Sequence, residues 1–174
     1  VPAKELRIGH VLALRIGIKT IPSSKPTIEE CRLAGYFIGD GCCTFTRSGH
    51  SCNASVVSSD PSQGVDIRRC VESIGGAVHL GGSRGWTYFM SKGIRPWLYE
   101  HKLAGQRTET KRVPSWILTA DDECAANFLG AFFACDGGGS TSGARPAIEF
   151  YNTSRQLLEE VQSLLLRFGV YTMM

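Results

Sequence analysis

No stretch of the 174 residues reaches the roughly 18 uninterrupted apolar positions that a membrane-spanning helix needs. The opening Val1-Pro2-Ala3-Lys4-Glu5 also lacks the basic-then-apolar plan of a secretory signal. A cytoplasmic chain without a membrane partner is expected. The seven cysteines are odd in number and include no Cys-x-x-Cys pair, which argues against a disulfide framework and for reduced, mostly buried thiols. Cys42, Cys43, His50 and Cys52 lack the spacing of a zinc knuckle. Gly137-Gly138-Gly139-Ser140-Thr141 follows a helix end and carries no lysine, so it is a poor phosphate loop. A net charge of +3 is too small by itself to announce a nucleic-acid binder.

What the chain does have is the 43% hydrophobic and 20% charged composition of a soluble globular protein, so it should fold. Its length suits one ordinary domain or two repeated units of about 70 to 90 residues. The charge is unevenly placed. Lys92, Arg95, Lys102, Arg107, Lys111 and Arg112 face only Glu100 and Glu109 within their stretch, giving the localised basic segment that phosphate contact requires.

Residues 1–26 read as a strand followed by a Pro/Ser/Lys linker. Thr27-Ile28-Glu29-Glu30 then has the capping-box form, and Ile28, Cys31, Leu33, Ala34, Phe37 and Ile38 follow at helical spacing up to Asp40-Gly41. Strands are expected near 42–46 and 53–58, a helix over 63–74, a second strand pair near 77–80 and 86–90, and a helix over 94–103. This first unit, 27–103, is α-β-β-α-β-β-α. A basic connector, 104–120, precedes a restart in 121–174: helix 122–135, Asp136-Gly137, strands near 139–143 and 147–152, and helix 154–168. Asp136 stands 96 residues after Asp40, so the chain carries an internal repeat whose second copy is short.

Both repeat helices carry small residues four apart, Gly35 with Gly39 and Gly130 with Ala134, and such seams let two helices approach backbone to backbone. Side-by-side packing would bring the two terminal aspartates together at the negative ends of two helix dipoles. That arrangement is unfavourable unless a cation lies between them. Mg²⁺, or Mn²⁺ in its place, suits one or two carboxylates with water and phosphate oxygens.

The sequences Leu33-Ala34-Gly35-Tyr36-Phe37-Ile38-Gly39-Asp40-Gly41 and Leu129-Gly130-Ala131-Phe132-Phe133-Ala134-Cys135-Asp136-Gly137 resemble the paired motif of the LAGLIDADG homing endonucleases. Three further blocks narrow the resemblance to the intein type. Lys111-Arg112-Val113-Pro114-Ser115-Trp116 is similar to the block before the second motif, and 154–170 to the helix after it. Residues 3–13 are similar to the end of a splicing domain before its endonuclease insertion.

The resemblance implies an α+β fold of tandem pseudo-symmetric αββαββα repeats. The motif helices would pack at the centre, the sheets would form a DNA-binding saddle, and the second repeat would be truncated. It implies a metal-dependent endonuclease making a double-strand break in an intein-free allele. Partners would be the DNA target, the splicing domain in cis and a partner chain or further residues completing the second repeat. The alternative is a non-cleaving or decayed nucleic-acid-binding module, regulator or maturase.

Asp40 and Asp136 would be catalytic and hold metal with help from the Gly39 and Cys135 carbonyls, and Lys111 would sit by the scissile phosphate. DNA contacts by strand alternation would be Thr44, Thr46, Arg47, Asn53, Arg84, Tyr88, Arg145, Glu149 and Tyr151, with Lys102, Lys111 and Arg112 from the basic segment. Neither a Cys or Ser nucleophile at Val1 nor a terminal His-Asn is present, so excision chemistry is expected to lie outside these residues.

Overall fold

The computed structural model describes residues 5, 7–8, 17, 21–23, 25–45, 52–82, 86–91, 93–140 and 147–173. The strand expected within 1–26 lies outside these residues, as do Thr46, Arg47, His50, Arg84, Lys92 and Arg145. The elements run α1 (Ile28–Asp40), β1 (Gly41–Phe45), β2 (Cys52–Val57), α2 (Pro61–Ser73), β3 (Ala77–Gly81), β4 (Thr87–Ser91) and α3 (Ile94–Glu100). A 3-10 turn, Thr108–Thr110, leads to α4 (Ser115–Leu118), α5 (Asp122–Asp136), β5 (Gly137–Ser140), β6 (Ala147–Phe150) and α6 (Arg155–Arg167). The αββαββα order of the first unit and its α+β class match the expectation. The connector differs, holding both the 3-10 turn and the short α4.

Local chemistry sets the helix starts. Thr27 and Glu30 form a reciprocal capping box, Glu30 N–H donating to Thr27 Oγ1 at 3.2 Å and Thr27 N–H to Glu30 Oε2 at 2.8 Å. Asp60, Asp121 and Ser154 cap α2, α5 and α6 through their side-chain oxygens. Each cap stabilises its helix by about 1 kcal/mol. The two motif helices, α1 and α5, leave their last turns without a basic residue and end on Asp40 and Asp136.

α1 is buried from Leu33 through Gly39 because it packs on α5 along one side and on α2 and the first sheet along the other. Phe128 and Phe132 of α5 are fully buried, and Phe132, Phe133 and Phe150 meet edge to face at 5.0–6.0 Å. Phe128 and Phe132 each contribute roughly 2–3 kcal/mol by leaving water.

The first sheet is antiparallel in the order β1-β2-β4-β3. Its inner face is fixed by the register Cys43↔Ala54↔Met90↔Val78 and Gly41↔Val56↔Tyr88↔Leu80. Ala54, Val56, Tyr88 and Met90 of that face are buried. The outer face presents Asn53, Ser55, Thr87, Phe89 and His79, and the rings of His79 and Phe89 stack at 5.2 Å.

The second sheet pairs only β5 with β6. Phe150 packs inward, but Ile148, on the same face by strand alternation, is 82% exposed. Its counterpart by register, Ala54, is buried. The correspondence between repeats continues through the end of α6. Phe168-Gly169 repeats the Ile74-Gly75 helix end, with Gly169 at φ +78 and Gly75 at φ +77, the left-handed conformation that glycine adopts without a Cβ clash. Among the described residues the second repeat thus contributes a two-stranded sheet where the first has four strands.

Candidate active site and nucleic-acid interface

The centre of the molecule is the seam between α1 and α5, and its register departs from the expected pairing of small residues. A Cβ on Gly35 would fall on the Phe128 carbonyl oxygen and lie 2.9 Å from Ala131 Cβ, and one on Gly39 would strike Cys135 Cβ. Gly130, by contrast, has nothing within 4 Å of a built Cβ, and Ala134 is exposed. The seam is thus lined by Gly35 and Gly39 against Ala131 and Cys135, not against Gly130 and Ala134. The 96-residue offset between the two aspartates pairs these same positions, so a strict repeat alignment carries the information that spacing within one helix concealed.

Because the helices run side by side to the same end, Asp40 and Asp136 emerge together. Asp40 reaches solvent, yet partial burial and then the neighbouring Asp136 charge raise its carboxyl above the ordinary aspartate range. Asn152, beyond β6, donates from Nδ2 to Asp136 Oδ2 at 3.2 Å and holds that carboxylate in place. Gln63 of α2 ties the seam to the first sheet: its Nε2 donates to Ala134 O at 3.0 Å, and its Oε1 accepts from Ser58 Oγ at 2.6 Å. Asn152 and Gln63 were absent from the expected set, since single polar residues outside the motif carry no periodic signal.

Lys111 crosses from the connector and donates from Nζ to Gly39 O at 2.7 Å. Burial lowers its pKa, while the carboxylates of Asp136 and Asp40 oppose that shift. Ser154 Oγ donates to Lys111 O at 2.7 Å, so the cap of α6 also fixes the lysine backbone. The Gly39 carbonyl expected to help a metal is therefore engaged by the ammonium group. Cys135 places its thiol beside Asp40, and burial pushes it up to about 12. An open cleft runs alongside, lined by Cys42, Cys43, Arg107, Glu109 and Lys111. Among the described residues no three His, Cys, Asp or Glu side chains are placed to hold a metal ion; the carboxylate pair stands without a third such ligand.

The expected DNA contacts divide. Asn53 projects from the outer face, Thr44 sits opposite it in register, and Glu149 and Tyr151 are exposed at β6 with Tyr151 Oη donating to Glu149 Oε2 at 2.8 Å. Tyr88 is a correction. It is 8% exposed and packs its hydroxyl against Gly64, because pairing with the buried Val56 turns it toward the helices. The same register puts Ser55, Thr87, His79 and Phe89 on the outer face instead. Lys102 is exposed, whereas Arg112 is drawn aside: Glu160 Oε1 accepts from its Nη2 at 2.8 Å, and Glu160 Oε2 accepts from Val113 N–H at 2.8 Å.

Two central helices ending in paired aspartates, with an antiparallel sheet beside each, make a LAGLIDADG-type fold. Comparison with known proteins agrees. Residues 123–173 match the model of the LAGLIDADG-like domain. A mesophilic variant of the homing endonuclease I-DmoI superposes with a TM-score of 0.58 at 13% identity, over 84% of this chain and 79% of that chain. I-DmoI in complex with DNA and Mn gives 0.57 at 14% identity, over 84% and 80%. Residues 123–173 are thus similar to the LAGLIDADG-like domain, and the chain shares the fold of the homing endonuclease I-DmoI.

Curated relatives by sequence are the DNA polymerase II large subunit of Thermococcus kodakarensis, 28% identical over 96% of this chain and 9% of that protein, and the replicative DNA helicase DnaB of Rhodothermus marinus, 31% identical over 95% and 19%. A third is an iron-sulfur cluster assembly SufBD family protein of Mycobacterium leprae, 33% identical over 83% and 16%. The chain spans less than one fifth of the length of each.

Proposed function

We propose that this chain is the homing endonuclease of an intein, hydrolysing both strands of an intein-free host gene at a site read by its sheets. The observation that carries the reading is the meeting of Asp40, Asp136 and the half-buried Lys111 at one end of the α1–α5 seam. The host readings differ in chemistry, a polymerase, a helicase and a cluster-assembly protein, yet each matches this chain over a small share of its length. That pattern supports a passenger segment inserted into unrelated proteins. The splicing domain of the same intein would lie outside these residues, and action on host DNA would be cytoplasmic.

The chemistry of the site suits a divalent cation. Two carboxylates crowded enough to raise one of them favour a positive charge between them, and Asp40 and Asp136 would hold Mg²⁺ or Mn²⁺. When bound, the cation would polarise a phosphate oxygen and lower the pKa of a coordinated water. The residues of the chain do the rest. Asp40 and Asp136 would orient a water that gives up a proton as its oxygen bonds to phosphorus, while the P–O bond to the departing strand breaks and that oxygen takes up a proton from solvent. Asn152 keeps Asp136 from turning away, and Lys111 presents a poorly hydrated ammonium group to charge that develops on phosphate. Polar side chains on the outer strand face, exposed at Asn53 and His79 and half-buried at Ser55 and Thr87, would meet base edges in the major groove.

The test is cleavage of a plasmid carrying the joined flanking sequences of the host gene, with Mg²⁺ or Mn²⁺ and with a chelator. Linear product in metal, and none with chelator, is expected. Tight binding without any cutting would instead support the non-cleaving module.

A further inference from the structure

The α1–α5 seam holds two thiols that the carboxylate centre does not use. Cys31 is fully buried and Cys124 nearly so, one from each repeat, near the helix ends remote from Asp40 and Asp136. The contacts around them show how closely the helices run there. Arg32 Nη1 donates to Asn127 Oδ1 at 3.3 Å, and one turn further on a Cβ at Gly35 would fall on the Phe128 carbonyl. Cys124 Sγ donates to Pro26 O at 3.5 Å, and Cys31 N–H to Thr27 O at 3.1 Å, so the start of α1 brings the two buried thiols to one place in the seam. Cys135 lies at the other end of the seam, and Cys70 belongs to α2.

We propose that Cys31 and Cys124 are a site of reversible oxidation, a disulfide that staples the first repeat to the second. Each thiol gives up a proton and an electron as the S–S bond forms, and a peroxide takes up both pairs and leaves as two waters. A disulfide oxidant would leave as two thiols instead. Burial holds both thiols protonated, so the reaction waits on opening of the seam and runs slower than modification of the exposed Cys42. The bridge closes a loop of about 90 residues and restricts the unfolded chain accordingly.

The test uses the whole chain, treated with hydrogen peroxide, alkylated, and digested without reduction. A Cys31 peptide joined to a Cys124 peptide, two hydrogens lighter than their sum, is expected, with a Tm raised by about 10 °C and restored by dithiothreitol. Cys31→Ser and Cys124→Ser should each lose both the link and the Tm rise. The proposal is overturned if both thiols are recovered alkylated after Cys42 has been consumed, if the bridge joins other cysteines, or if Cys124→Ser keeps the rise. The wild-type chain with and without oxidant needs no variant to fold. None of these readouts depends on DNA cleavage, so the staple and the nuclease reading fail separately.

Discussion

The two repeats begin alike and end differently. Each has a capped helix, an aspartate at its last position, a hairpin and a second capped helix, and the two aspartates meet. In the first repeat β3 and β4 complete a four-stranded sheet that buries Ala54, Val56, Tyr88 and Met90. In the second, among the described residues, β5 and β6 pair only with each other, with three successive glycines in β5 and Ile148 uncovered. The site is shared more evenly than the scaffold. The seam needs only the two helices, while sheet stability needs a covered apolar face.

If the halves contribute equally to chemistry, Asp40→Asn and Asp136→Asn should each lower double-strand cutting by about a hundred- to a thousandfold while leaving DNA binding near wild type. A wild-type rate from either variant in the same metal would break the two-aspartate centre. Asn152→Ala should cost about tenfold, since it removes one hydrogen bond to a charged group.

The seam itself can be probed by contrast. Gly35→Val should destabilise the chain by about 3 kcal/mol, because the added atoms have no room against Phe128 and Ala131. Gly130→Ala should be neutral or stabilise by up to about 1 kcal/mol, since it replaces an exposed helical glycine. Urea titrations that give the two variants equal midpoints would refute this register.

A smaller effect separates two residues of the basic connector. Lys102→Ala should reduce the salt slope of DNA binding by about 1, as loss of one phosphate contact predicts. Arg112→Ala should change the slope less and lower thermal stability instead, because its charge is paired with Glu160. Identical slopes for the two variants would return Arg112 to the interface.

The smallest effect is a pH dependence in metal-free protein. The fold raises the Asp40 carboxyl, so the folded chain keeps that proton to higher pH than the unfolded chain. This contribution is complete below the ordinary aspartate range and is lost as pH rises through the raised value. Stability should therefore fall slightly across the weakly acidic range just above that of an ordinary aspartate. Asp40→Asn should flatten the trend, and a thermal melt series showing the same slope in both proteins would remove Asp40 as its source.

Local chemistry made much of this legible beforehand. The Thr27 capping box, the two Asp-Gly helix ends and the 96-residue offset mark the motif helices, and short polar turns mark the hairpins. Boundaries moved by a residue or two, as where the paired β5 starts at Gly137 rather than near 139, because pairing partners and not propensity fix where a strand begins. Tyr88 turns inward, against the expectation from alternation, for the same reason. Alternation within one strand gives two faces but does not say which is buried, and the register with Val56 decides it.

The sequence by itself determined the helices, their terminal aspartates and the basic connector, since caps, periodicity and charge act between residues close in the chain. Tertiary structure alone decided that Ala131 and Cys135 line the seam, that Asn152 holds Asp136, that Lys111 reaches Gly39 and that Glu160 claims Arg112. Those partners stand from 16 to 96 residues apart in the chain. Only packing the two helices and folding the connector over them brings such groups within hydrogen-bonding distance, where direction and burial, rather than residue type, select the contact.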